Sequence, residues 1–142
     1  MDYPLSKFHF MVEWGGTRIS ASEITGLSAE FGIVEYPDGS SRLSSSSLMP
    51  GLMKPNRITL KRGVVKGDNE YFEWLATANF NTIEKRDLVI KLLDENHEPL
   101  LVWYLSNAFP VKLEWSDLKA LTSEPVIESL EVVYEKMAVE NG

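Results

Sequence analysis

The chain has 142 residues, of which 44% are hydrophobic and 11% aromatic, so we expect one soluble globular domain spanning residues 1–142. The net charge of −7, from 14 basic and 21 acidic residues, disfavours sequence-specific binding of nucleic acid, because phosphate neutralisation supplies most of that affinity. The chain has no cysteine for disulfides or thiolate chemistry, no apolar run of the length that a membrane helix needs, and no secretory signal at its start.

Alternation of apolar and polar residues predicts strands along most of the chain. The first is Phe8 to Trp14, and Gly15-Gly16 supplies a tight turn into Thr17 to Ser20, which predicts a hairpin. Residues 27–33 and 57–61 follow the same pattern. They predict two further strands, with Phe31 and Ile33 in the apolar row of the first.

Between these two strands lies a long segment, residues 37–55, that resembles a loop in its Pro, Gly and Ser content. It nevertheless carries five large apolar side chains, which is too many for a solvated connection. We predict that another copy of the chain covers them and that Leu48 and Met49 anchor this contact. A local lid and a disordered linker are the alternatives. The predicted oligomer interface consists of Leu43, Leu48, Met49, Leu52 and Met53.

A helix is predicted over residues 69–79, because Asp68 can accept hydrogen bonds from its first amides and aromatic residues follow at helical spacing. We expect Tyr71 and Trp74 to pack on the sheet. Residues 88–92 and 101–105 predict a second hairpin, and residues 126–137 a last strand. The fold class is therefore mainly β, an antiparallel sandwich or barrel with one flanking helix and a long inter-strand loop.

Several strands also carry apolar residues on the face that should meet water, which favours further burial in a homo-oligomer. A head-to-tail contact that closes gives a ring, and complementary rings stack into a tube. These residues are Met11, Val34, Val89, Leu93, Val102 and Val133.

Residues for catalysis or metal binding are sparse. The only histidines, His9 and His97, have no companion at metal-ligand spacing, and the serines of Ser44 to Ser47 lack a nucleophile-elbow motif. Carboxylates such as Glu13 and Glu23 are expected at solvated strand ends. We expect no enzyme, no metal and no cofactor.

Three segments carry a family resemblance: Gly26 to Glu30, Met49-Pro50-Gly51 through to Gly63, and Asn107 to Lys112 with its Asn-Ala-Phe-Pro sequence. In this order, across Phe8 to Glu135, they resemble the tail tube proteins of contractile phages and the inner tube proteins of phage-tail-like contractile injection systems, which are related to the type VI secretion tube. The resemblance implies a barrel-like subunit in hexameric rings, stacked into a hollow conduit for payload delivery through a target envelope. It supplies no catalytic residues.

The resemblance also implies partners and a location. The partners are further copies of the chain, a sheath protein, baseplate or spike and terminator proteins, and a payload or tape-measure protein in the lumen. The tube would assemble in the cytoplasm of the producing cell and become part of a phage virion or an injection particle. An acidic lumen would repel an acidic cargo and let it slide.

Two other classes of function remain open on the residues alone. A monomeric ligand-binding β-barrel would line a pocket with Trp14, Trp103 and Trp115. A glycosidase or esterase on a sandwich would need a carboxylate or serine whose loss abolishes turnover.

Overall fold

The computed structural model describes residues 9–37, 46–54, 56–79 and 81–141, and nearly all of its secondary-structure elements are β-strands. In these ranges they are β1 (His9–Trp14), β2 (Thr17–Ile19), β3 (Glu23–Thr25), β4 (Glu30–Pro37), β5 (Ser46–Lys54), β6 (Arg57–Gly63), α1 (Glu70–Leu75), β7 (Arg86–Leu93), β8 (Pro99–Trp115), β9 (Ile127–Val133) and β10 (Lys136–Asn141).

The strands form an eight-stranded sheet in the order β2-β1-β7-β8-β9-β6-β3, with β10 paired to β8, and a separate two-stranded sheet of β4 and β5. All of the pairings are antiparallel. This confirms the predicted fold class, and both predicted hairpins, β1–β2 and β7–β8, are present.

The long strand β8 links the two halves of the large sheet. Its first part pairs with β7 and β10, and its second part pairs with β9. The change of partner occurs at Asn107, which has a φ of 53°, a left-handed conformation that asparagine tolerates better than most residues. The amide N–H of Asn107 donates to Asp87 Oδ1 at 3.1 Å, and the following Ala108 is fully buried. The Asn-Ala-Phe-Pro sequence therefore marks the bend of β8.

The core lies between the large sheet and α1. Trp14 of β1 packs against Trp74 and Tyr71 of the helix, with ring centroids 4.7 and 5.9 Å apart, as predicted for these aromatics. The buried set also includes aliphatic residues from most strands of the large sheet. They are Val12, Ile19, Ile58, Leu60, Leu88, Ile90, Leu105, Leu130 and Val132.

The helix is shorter than the predicted 69–79, because it ends at Leu75. After it, the N–H groups of Thr77 and Ala78 donate to carbonyls only three residues back, the tighter pattern of a helix end. The Thr77 hydroxyl also bonds the carbonyl of Trp74 at 2.7 Å and accepts the amide of Glu84. Asp68 accepts the amide of Glu70 at 3.2 Å, as predicted for the helix start.

The last predicted strand, residues 126–137, is divided in two. Between β9 and β10, Tyr134 is buried and its hydroxyl donates to the carbonyl of Ser28 at 3.2 Å, while the amide of Glu135 donates to the carbonyl of Ser106. The chain thus leaves the β6–β9 ladder and joins β8. Two residues predicted to lie on a solvent-facing side of their strands, Leu93 and Val102, are buried instead.

The predicted loop over residues 37–55 is wrong for residues 46–54, which form β5. Serine and proline content favoured a loop, but pairing with β4 satisfies the backbone of this segment. Residues 38–45 lie outside the described residues.

Candidate assembly surface

The β4–β5 sheet, formed by Glu30–Pro37 and Ser46–Lys54, stands apart from the large sheet. Among the described strands, β4 and β5 pair only with each other. Six large apolar side chains among those described on these strands are exposed, from 44% for Met49 to 90% for Leu52. The exposed set consists of Phe31, Ile33, Val34, Leu48, Met49 and Leu52.

The register shows that both faces of this small sheet are apolar. Val34 lies opposite Met49, so these two side chains share one face, whereas Ile33 and Leu48 belong to the other. Strands of a lone hairpin that bury neither face are marginally stable in water. The sheet therefore presents two apolar surfaces that the isolated subunit leaves in contact with solvent.

The base of the β4–β5 sheet is held firmly by the body of the protein. The Asn56 side-chain amide donates to Ser28 Oγ at 2.5 Å, and Tyr134 bonds the carbonyl of Ser28. Gly26 has a φ of +91°, and a Cβ there would lie 2.5 Å from the carbonyl oxygen of Arg57. The Gly26-Leu27-Ser28 sequence is thus a tight junction from which the two strands extend.

Of the residues predicted for the interface, Leu48, Met49 and Leu52 are exposed on β5. Met53 lies in β5 opposite Phe31, and Leu43 lies outside the described residues. Phe31 and Ile33 belong to the apolar row of a predicted strand, for which a core was expected, yet both are more than half exposed. Alternation identified the residues that share a face, but no core lies beneath that face in the described part of the chain.

A second exposed apolar patch, missed in the sequence, follows β8 in the connection to β9. Trp115, Leu118 and Leu121 are exposed, with Leu121 completely so, and Val64 and Val65 are exposed at the end of β6. The amide of Val64 donates to the carbonyl of Val126 at 2.9 Å, which ties β6 to this connection. Leu118 and Leu121, three positions apart in a segment that also contains Ser and Lys, were the sequence feature that could have indicated this patch.

A buried ionic network fixes the elements beside this second patch. Arg62 of β6 bonds Glu128 of β9 at 2.9 Å and both carboxylate oxygens of Asp68 at 3.0 Å, and its guanidinium lies 3.8 Å from the ring centre of Tyr71. Burial disfavours the charge on Arg62, but the hydrogen bonds to Glu128 and Asp68 outweigh it and raise the pKa. The Trp115 indole donates to Glu128. The network joins two strands, the helix start and the exposed tryptophan.

Burial raises the pKa of Tyr71, whose hydroxyl donates to the carbonyl of Ser20 at 2.8 Å. A protonated phenol therefore serves as a hydrogen-bond donor there. Within the described ranges, each buried side-chain polar atom has a hydrogen-bond partner. These hydrogen bonds hold the start of the helix against the strands.

The residues considered for other functions are dispersed. In the described part of the chain, no three histidine, aspartate or glutamate side chains group together to hold a metal ion. Glu13 forms an ion pair with Lys91, whereas Glu23 forms one with Lys61, so each carboxylate has its own cationic partner. Trp14 borders one surface cleft and Trp115 borders another. These two tryptophans therefore do not line one common pocket, as the ligand-binding alternative required. None of the described helices has the length and apolar character needed to cross a bilayer.

Comparison with protein families gives a match over residues 6–138 to the family described as T4-like virus tail tube protein gp19. Among curated proteins, none matches this sequence. The family match confirms the resemblance found in the three sequence segments.

Solved structures give the same result. A chain in the cryo-EM structure of the anti-feeding prophage cap, the AFP tube terminating cap, is 29% identical, with a TM-score of 0.88 over 100% of this chain and 94% of that one. A chain in the extended sheath–tube complex of PVC, an extracellular contractile injection system, is 28% identical, with a TM-score of 0.87 over 99% of this chain and 94% of that one. Hcp1 from Flavobacterium johnsoniae, 20% identical with a TM-score of 0.53 over 95% and 97% of the two chains, shares the fold.

Proposed function

We propose that this chain, which belongs to the T4-like virus tail tube protein family, assembles with copies of itself into rings of six that stack into a hollow tube. It is a structural tube subunit of a contractile injection system, as the sequence predicted. The ring size and the stacking follow from the family resemblance. The surfaces that make the contacts are proposed from the structure.

The observation that carries the proposal is the β4–β5 sheet with apolar side chains on both faces. Burying the exposed part of one such side chain contributes roughly 1–2 kcal/mol. Six exposed apolar residues on one two-stranded projection thus represent a large unrealised stabilisation. A neighbouring subunit that covers both faces would recover it, and Leu48 and Met49 are proposed as the anchors.

The contact is proposed to be head-to-tail. The β4–β5 sheet and the patch around Leu118 and Leu121 are different surfaces of the subunit, each apolar and exposed. When unlike surfaces meet, the contact generates a ring if it closes and a continuing stack if it does not. Among the described strands, β7 pairs with β8 only as far as Ala108, so the second half of β8 offers one edge for strand pairing with a neighbour. Such pairing would make the tube stiff.

The proposed partners follow from what the similar chains accompany. One relative stands in a sheath–tube complex and another in a tube terminating cap, so a sheath and a terminator are proposed for this chain as well. Baseplate or spike proteins and a payload or tape-measure chain complete the assembly. We further propose a mechanical and non-catalytic role, assembly in the cytoplasm of the producing cell, and delivery as part of a virion or an injection particle. The net charge of −7 suits a lumen that repels an acidic cargo.

Sedimentation and negative-stain microscopy of the purified full chain at low and high concentration test the proposal. Rings or tubes should form as the concentration rises, and amide exchange should become slower in Glu30–Pro37 and Ser46–Lys54 on assembly. A chain that stays monomeric at every concentration, with unprotected amides in both strands, would overturn it.

A further inference from the structure

The chain has two histidines, 88 positions apart, and the fold brings their rings together. His9 begins β1 and lies opposite Leu93 of β7, which places it at the end of the sheet where β7 turns into β8. His97 occupies that turn. The two ring centroids are 5.3 Å apart with an interplanar angle of 49°, and both residues are exposed.

His97 stands at a backbone position that most residues avoid. Its φ is +61°, a left-handed conformation in which glycine, asparagine, aspartate and histidine are enriched. The turn around it is well held, because Asp94 Oδ1 accepts the amides of Asn96 and Glu98 at 2.8 Å each. The turn therefore holds the backbone of His97 in a defined conformation beside His9.

The separation of the two rings suits shared coordination. A zinc–imidazole bond is about 2.0–2.1 Å long, so two imidazoles on one tetrahedral ion have ring centres roughly 5 Å apart. Imidazole nitrogen is a preferred ligand of zinc, copper and nickel, and a weak one for calcium and magnesium. We propose that His9 and His97 form a two-imidazole site for a divalent transition-metal ion such as Zn²⁺ or Cu²⁺.

Within the described ranges, no third histidine, aspartate or glutamate side chain joins the two imidazoles as a ligand. Water is the natural occupant of the remaining positions, which makes the site open and exchangeable, unlike a structural zinc centre. Since the site lies at one end of the large sheet, a bound ion would join the start of β1 to the β7–β8 turn. The proposal does not depend on assembly into a tube.

The test is titration of the full, unassembled chain with Cu²⁺ and Zn²⁺, followed by electron paramagnetic resonance for copper and calorimetry for zinc. The matched variants are His97→Asn, which suits the positive φ of the turn, His9→Gln, and the double variant as the baseline for the chain terminus and other weak sites. One ion per chain with two coordinated nitrogens is expected. Each single variant should bind about tenfold more weakly or worse, because chelation is lost.

Magnesium and calcium serve as controls and should give no heat above the baseline of the double variant. Circular dichroism of each variant should match that of the unmodified chain, which shows that the turn is intact. The proposal is overturned if zinc and copper bind the double variant as tightly as the unmodified chain, or if only one nitrogen is coordinated. A chain that takes up neither ion at millimolar concentration would also overturn it.

Discussion

Replacing Leu48 and Met49 together by aspartate should stop tube growth while leaving the subunit folded. The two side chains are 69% and 44% exposed in the subunit. Fully burying such side chains contributes about 1.5–3 kcal/mol each, so covering the exposed parts of both is worth roughly 2–3 kcal/mol per contact. Their loss alone weakens the association constant roughly 30- to 150-fold. Two buried carboxylates would weaken it further.

The assay compares the variant with the unmodified chain by sedimentation and negative-stain microscopy at matched concentrations. The melting temperature of the unassembled chain serves as the folding control and should change little, because surface substitutions usually alter stability by about 0.5 kcal/mol or less. The Phe72→Asp and Val139→Asp double variant adds the same charge at exposed apolar residues of α1 and β10, outside both proposed contact surfaces. It separates the effect of charge itself from loss of the β4–β5 contact.

Tubes of normal length from the Leu48 and Met49 variant would refute the reasoning that assigns this sheet to the subunit contact. If the aspartates abolish tubes, the milder Leu48→Ser and Met49→Ser pair should weaken assembly without abolishing it. A serine pair that leaves the critical concentration unchanged would contradict the apolar contribution calculated above.

Three further predictions concern the subunit itself. Gly26→Ala should lower the free energy of unfolding by about 2 kcal/mol or more, measured in urea, because its φ of +91° and a backbone oxygen 2.5 Å from the new Cβ oppose a side chain; an unchanged midpoint would contradict this. Arg62→Met should lower the free energy of unfolding by about 3–5 kcal/mol, because it leaves the buried Glu128 without a positive partner. The double variant Arg62→Met with Glu128→Leu should recover part of this loss. Hydrogen bonds from Lys85 and, secondly, from Asn107 lower the pKa of Glu135 in the folded chain. These bonds therefore stabilise the fold above the unfolded-state pKa of Glu135, and that stabilisation is lost as the pH falls through the folded-state pKa. Glu135→Gln should therefore flatten the fall in melting temperature at acid pH, and an identical pH profile would count against the interaction.

Much of the fold was predictable because its signals are local. Period-2 alternation identified the strands of both main hairpins, and the helical spacing of Tyr71 and Trp74 identified the helix and its buried side. The family followed from motifs that the structure explains: Gly26 forms a tight junction, and Asn107 bends β8. Both residues have a positive φ, a backbone conformation that few other residue types adopt readily.

The misassignments in β4 and β5 depend on how segments pack and pair in the folded chain. Residues 46–54 have the composition of a loop, yet they form a strand with β4, where Gly32 and Gly51 allow close approach: a Cβ on Gly51 would lie 3.1 Å from the carbonyl oxygen of Gly32. Phe31 and Ile33 alternate like core residues, but no layer lies beneath them in the described structure.

The sequence alone determined the fold class, because alternation is a local signal, and its resemblance in three segments indicated the tail tube family that the family match then confirmed. Only the tertiary structure decided which faces are covered, where the two histidines meet and how Arg62 is paired, because each depends on strand register between segments far apart in the chain. A strand pattern defines its two faces, and the packing of the whole chain decides which of them reaches water.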